Sequence, residues 1–123
     1  MLSPEQHARV LALSADLARE GNTEELAEFL DHGLAVDTAD QDGNTLLMLA
    51  AYHGRPETLA MLIARGADVD AQNIRGQGPL AGAIFKGEDE IARALIAAGA
   101  DLDAGSPSAR EAAQIFGRAH LLP

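Results

Sequence analysis

The residues best suited to acid–base or metal chemistry near neutral pH are the histidines, His7, His32, His53 and His120. No two of them have the spacing of zinc ligands on one helix face, and cysteine is absent, so thiolate ligands, disulfides and thiol nucleophiles are excluded. There is no P-loop, no GxGxxG after a strand pattern and no GxSxG elbow. Asp37, Asp40 and Asp42 lie close together, but the late bidentate glutamate and central glycine of a calcium loop are missing. No catalytic residue, cofactor or metal ion is expected. The remaining chemistry is recognition. Tyr52, the only tyrosine, and Phe85, one of three phenylalanines, are followed by His53 and Lys86, and aromatic anchors flanked by polar groups resemble interface hot spots.

A repeat positions these residues. The stretch 40–72 returns 33 residues later as 73–105, and 13 positions are identical: Gly43, Leu47, Ala50, Gly54, Glu57, Leu62, Ile63, Ala64, Gly66, Ala67, Asp68, Asp70 and Ala71 each recur. A fixed period of this size signals stacked supersecondary units. Tyr52 and Phe85 therefore occupy the same place in successive units.

Within the unit, Asp40 to Asn44 forms a turn around Gly43, and Thr45 caps a short helix carrying Leu46, Leu47, Leu49 and Ala50 inward. Gly54-Arg55-Pro56 turns the chain into a second helix burying Leu59, Leu62 and Ile63, and Gly66-Ala67 ends it. Helices this short do not persist alone in water, so stacking is obligatory. Columns across repeats follow: Leu47 over Leu80; Leu26, Leu59 and Ala92; Phe29, Leu62 and Leu95; Leu30, Ile63 and Ile96.

The ends diverge from the pattern. Ser3 to Gln6 opens a helix with Val10, Leu13, Leu17 and Ala18 expected on its buried face, and Asn22 is expected to cap the next. After Ser108-Ala109-Arg110-Glu111, a capping box, only part of a unit remains. Ile115, Phe116, Leu121 and Leu122 are expected to cover the stack as a lid. Asp37, Asp70 and Asp103 are expected to stabilise their own turns.

Composition agrees with an all-α chain. Hydrophobic residues make up 47% and aromatics only 3%, so the core must be Ala, Leu and Ile, which favour helix. A net charge of -10 repels nucleic acid and anionic membranes and attracts basic partners. The N-terminal residues read as neither a signal peptide nor a membrane span, and a cytoplasmic protein is expected.

The residues Asp40, Gly43, Thr45, Leu47, Ala50, Ala51 and Gly54, then Leu62-Ile63, Gly66-Ala67-Asp68-Val69-Asp70, resemble the ankyrin-repeat family. The family's Thr-Pro-Leu-His stretch is incomplete in each copy, as Thr45-Leu46-Leu47-Met48 and Gly78-Pro79-Leu80-Ala81, so the second copy loses the threonine cap. The resemblance implies an all-α repeat, a helix-turn-helix-hairpin solenoid. Its expected divisions are an N-terminal capping repeat 1–39, repeats 40–72 and 73–105, and a partial C-terminal capping repeat 106–123. It also implies a single non-catalytic domain that grips a protein partner, without cofactor. Carried over by position, the partner-binding residues are Gln41, Asp42 and Asn44 in one hairpin tip and Ile74, Arg75 and Gln77 in the next. Tyr52, His53, Phe85 and Lys86 follow on the concave surface of the first helices, with Arg19 and Glu20 as N-terminal counterparts. A monomer is expected. The alternatives are an inhibitor or immunity-like protein occluding a partner's active site, and a structural protein self-associating through Leu121 and Leu122.

Overall fold

Side-chain caps fix where the helices begin. In a computed structural model describing residues 2–123, Ser3 Oγ accepts from the Gln6 N–H at 3.1 Å while Gln6 Oε1 accepts from the Ser3 N–H at 2.8 Å. Helix α1, Pro4–Glu20, starts there. Thr45 Oγ1 accepts from the Met48 N–H at 3.2 Å and opens α3, Leu46–Tyr52. Ser108 and Glu111 form a second capping box at the head of α7, Ala109–Ile115. Helix α5, Pro79–Lys86, begins at Gly78 with no side-chain bond, as the lost threonine leads one to expect. The remaining helices are α2, Thr23–Asp31, α4, Pro56–Ala64, and α6, Asp89–Ala97. A 3-10 turn at Ala119–Leu121 follows α7, and among the described residues there is no strand, only an isolated bridge between Ala39 and Thr45.

The helices stack in two rows. The first helices α1, α3, α5 and α7 pack in sequence as one row, and α2, α4 and α6 form the other. Leu26, Leu59 and Ala92 are fully buried between units, as are Leu47, Leu62 and Leu95, so the repeat columns are the core. Leu30, Ile63 and Ile96 are only partly buried, because the outer face of the second row has no further layer to cover it. Two residues the repeat did not single out complete the packing. Ser14 is fully buried and donates to the Leu11 carbonyl at 2.8 Å. Thr58, also fully buried, shares a 2.7 Å hydroxyl contact with Thr23 that ties α2 to α4.

Four expectations are corrected. Leu13 is half exposed, because the buried stripe of α1 runs through Ser14, Ala15, Leu17 and Ala18 and leaves Leu13 outside it. Asn22 occupies the N-cap position of α2 but makes no capping bond; its amide donates to Glu20 instead. Asp37 and Asp70 accept from the Asp68 and Asp101 N–H groups at 2.9 and 2.8 Å, so they clamp the following repeat and not their own turn. The lid is half as large as expected. Leu121 is buried and Leu122 partly so, but Ile115 is 67% exposed and Phe116 also projects, because α7 ends at Ile115 with no second helix over it.

Candidate functional site

The hairpins are held by side chains at the same position of the repeat register, 33 residues apart. Asp40 Oδ1 accepts from the Asp42 and Asn44 N–H groups, both at 2.9 Å. In the next hairpin Asn73 Oδ1 takes the same role toward Arg75 and Gln77, at 2.9 and 3.1 Å. The two hairpins are joined by the Ile74 N–H donating to the Asp42 carbonyl at 3.0 Å and by Asn73 Nδ2 donating to Asn44 Oδ1 at 3.0 Å. Gly43 is required at this junction. Its φ is 79°, and a Cβ there would meet the Ile74 nitrogen at 3.0 Å. Of the six tip residues, Gln41, Asp42, Ile74 and Arg75 are exposed, whereas Asn44 and Gln77 are half-buried and bonded to Asn73. Ile74, 72% exposed, is the most solvent-facing large apolar side chain among the described residues.

The other four predicted residues lie at the C-terminal ends of α3 and α5, His53 directly after the last residue of α3. Tyr52 and Phe85 share a register but not an environment. Tyr52 is half-buried, its ring lying over Gly82, where an added Cβ would overlap it. Burial pushes its hydroxyl pKa up from 10.0. Phe85 is 62% exposed, and its only aromatic neighbour is Phe116, centroid to centroid 5.1 Å in an edge-to-face arrangement. Between these rings lies a hollow of about 170 Å³, walled also by Gln77, Pro107 and Ala112. Repeat geometry did not include Phe116 or Pro107, because they lie outside the two matching copies. The signal that was available is Gly82, which stands where the preceding repeat has Leu49 and so leaves room for the ring.

His53 and Lys86 are exposed. The His53 pKa is lowered from 6.5 by partial burial first and then by the cations Arg19, Lys86 and Arg55. Arg55 Nε donates to the Arg19 carbonyl at 2.7 Å, capping the C-terminal end of α1. Arg19 is paired with Asp16 at 2.8 Å and approaches Asp40 at 3.8 Å. Glu20, its predicted companion, is exposed and accepts from Asn22.

A larger hollow, about 590 Å³, opens between α1 and the first hairpin, with Leu11, Ala12 and Ala15 as apolar floor and Asp16, Arg19 and Asp42 at its rim. Of the side chains that line it on α1, only Arg19 was anticipated from the sequence; the others were not, because α1 has no counterpart of matching length in the repeats. No cluster of His, Asp or Glu suited to a metal ion occurs among the described residues, and no buried side-chain polar atom among them lacks a partner. No helix among them is long and apolar enough to cross a membrane. The exposed side chains of this surface are available for contact with another molecule.

A family model described as ankyrin repeats, in three copies, matches residues 13–106. A Pseudomonas aeruginosa protein described as an ankyrin repeat protein is 49% identical over 39 residues, a match spanning 32% of this chain and 23% of that relative. The paired short helices, the interlocked hairpins and a family match across most of the sequence converge: the chain belongs to the ankyrin-repeat family.

Proposed function

We propose that this chain is a non-catalytic module that binds a protein partner across its hairpin tips and the concave side of its first helices. Ankyrin repeats are in general protein-interaction modules without chemistry of their own. The residues proposed to meet the partner are Gln41, Asp42, Asn44, Ile74, Arg75 and Gln77 at the tips, with Tyr52, His53, Phe85 and Lys86 on the helices. The observation that carries this reading is Phe85, a large apolar ring left 62% exposed beside a hollow while the columns behind it are filled. Exposed aromatics of this kind supply much of the energy in interfaces. Because hydrogen bonds already fix the hairpins, little ordering entropy is spent on binding.

The test is affinity capture from the source cell with the wild-type chain and a Phe85→Ala variant. Phe85→Ala is preferable to a Tyr52 change, because truncating Tyr52 also opens a gap over Gly82. Loss of the same partner from the variant, with an unchanged unfolding curve, supports the reading. Undiminished capture contradicts it.

A second reading is favoured by one specific feature. Ile115, 67% exposed next to Phe116, offers an apolar patch at the C-terminal end of the stack for self-association. Leu121 is buried and unsuited to that role. Mass in solution measured over a concentration series decides: a dimer lost on Ile115→Ser supports assembly, and a monomer throughout excludes it.

A further inference from the structure

Only half of the long first helix serves the stack. The buried residues of α1, Ser14, Ala15, Leu17 and Ala18, all lie in its C-terminal half, and residues 4–13 are exposed or half-buried. The capping box of Ser3 and Gln6 nevertheless secures the start of this free half. Most of it also lies outside residues 13–106, the stretch that matches the family model. Two hollows open between this half of α1 and the loop 34–42, and Leu11 and Ala39 wall both. One, of about 740 Å³, is lined chiefly by apolar side chains, among them Leu2, Val10, Phe29 and Leu34. The other is the hollow of about 590 Å³ already described, which runs over alanine and leucine to Asp16, Asp40 and Asp42. Its three carboxylates face one cation, Arg19, which Asp16 binds at 2.8 Å and Asp40 approaches at 3.8 Å. Asp40 also holds its own hairpin through the Asp42 and Asn44 N–H groups. The Asp42 carboxylate has neither a hydrogen bond nor an ion pair among the described residues. Glu5 and Arg9, of opposite sign on α1, and Arg75, at the Asp42 position of the next hairpin, line neither hollow. His7 and His32 stand at the apolar end.

We propose that this groove takes a basic segment of a protein partner. An apolar side chain of the segment fills the hollow over Phe29 and Leu34, and a lysine or arginine meets Asp42 with its charge. Long cationic side chains lay their methylenes on apolar surface and keep the charged head at its edge, which suits a floor of Ala8 and Ala12 ending at carboxylates. An acidic segment would instead meet three carboxylates offset by one arginine. The net charge of -10 acts in the same direction, drawing basic segments from a distance at low salt, an effect that fades as salt screens it. Only Gln41 and Asp42 are shared with the surface proposed above, so the two surfaces can fail separately.

The experiment is selection of short randomised peptides displayed on phage against the full chain, followed by resynthesis of the enriched sequences. The chain has no tryptophan, so a tryptophan placed in each peptide reports on the peptide alone by fluorescence. Enriched sequences should combine Lys or Arg with a leucine, isoleucine or aromatic residue, and should bind more weakly as salt is raised. Two variants at exposed positions test the groove: Asp42→Lys reverses its free charge, and Ala12→Gln fills its floor. Each should weaken binding at least about tenfold, while Arg93→Gln, exposed on α6, changes nothing. Urea unfolding curves of the variants check that the fold is retained. Acidic or uncharged enriched peptides, no enrichment, or basic peptides indifferent to either groove variant would each overturn the proposal. Peptides weakened by Phe85→Ser and by neither groove variant would overturn it too, and would leave the concave face as the binding surface. A mass that rises with concentration and returns to monomer on Ala12→Gln would seat a second copy in the groove and likewise overturn the proposal.

Discussion

At position 82 an added Cβ would occupy the space of the Tyr52 ring, so the ring lies flat only while that position is glycine. Two effects of similar size oppose each other in Gly82→Ala. Helix propensity favours alanine by about 1 kcal/mol, and overpacking against the ring costs about 1–3 kcal/mol. The substitution is therefore expected to be neutral to destabilising alone, and stabilising by about 1 kcal/mol when Tyr52 is already alanine. A double-mutant cycle by urea unfolding measures this coupling. His53 gives a second residue-level expectation. Its folded pKa is lowered from 6.5, so its contribution to stability is fully present above that value and is lost as pH falls through the folded value. Arg19 on α1, Lys86 on α5, Arg55 and the Glu88 carboxylate over Gly54 are the charged groups around it. Urea midpoints on either side of pH 6.5 should differ less in His53→Gln than in the wild type. The effect is small, because the ring is exposed and screened by solvent.

Neighbouring elements are coupled by two kinds of link, with different expected costs. Buried columns carry most of the energy. Leu62→Ala removes a fully buried side chain of α4 and should cost about 2–5 kcal/mol, read as a lower urea midpoint. The aspartate clamps contribute less. Asp70 accepts from the Asp101 N–H at 2.8 Å in an exposed hairpin, so Asp70→Ala should cost about 0.5–1.5 kcal/mol, and Asp70→Asn, which keeps an acceptor, less than that. The elements themselves were legible because each repeat states its helix starts, stops and apolar positions twice. The aspartate clamps were not, since position 37 and position 68 lie near the same hairpin pattern and sequence alone assigns an aspartate's oxygen to the nearest turn. The end of the stack was misread for a related reason. The apolar residues Ile115, Phe116, Leu121 and Leu122 look alike in sequence, and only the geometry of a helix ending at Ile115 separates those that pack from those that project.

For the whole molecule, the register of the candidate surface was readable while its shape was not. The period of 33 placed Tyr52 and Phe85 in one row, but which ring folds down depended on Gly82, and the partner ring Phe116 came from outside the repeats. Net charge is equally silent about place, because a sum of -10 does not show that Lys86 ends α5 directly after the exposed Phe85. What makes this surface stiff is that helices of seven to nine residues, α2 to α7, lie below the length at which isolated helices persist, so each exists through contact with the next. The most direct test follows urea unfolding by two probes at once, the emission of the single tyrosine, Tyr52, and the far-ultraviolet circular dichroism of all the helices. The two curves should coincide, and Leu62→Ala should shift both to the same lower midpoint. Separate transitions, or a tyrosine curve that Leu62→Ala leaves in place, would mean that the units stand independently and that neighbouring contacts do not build the recognition face.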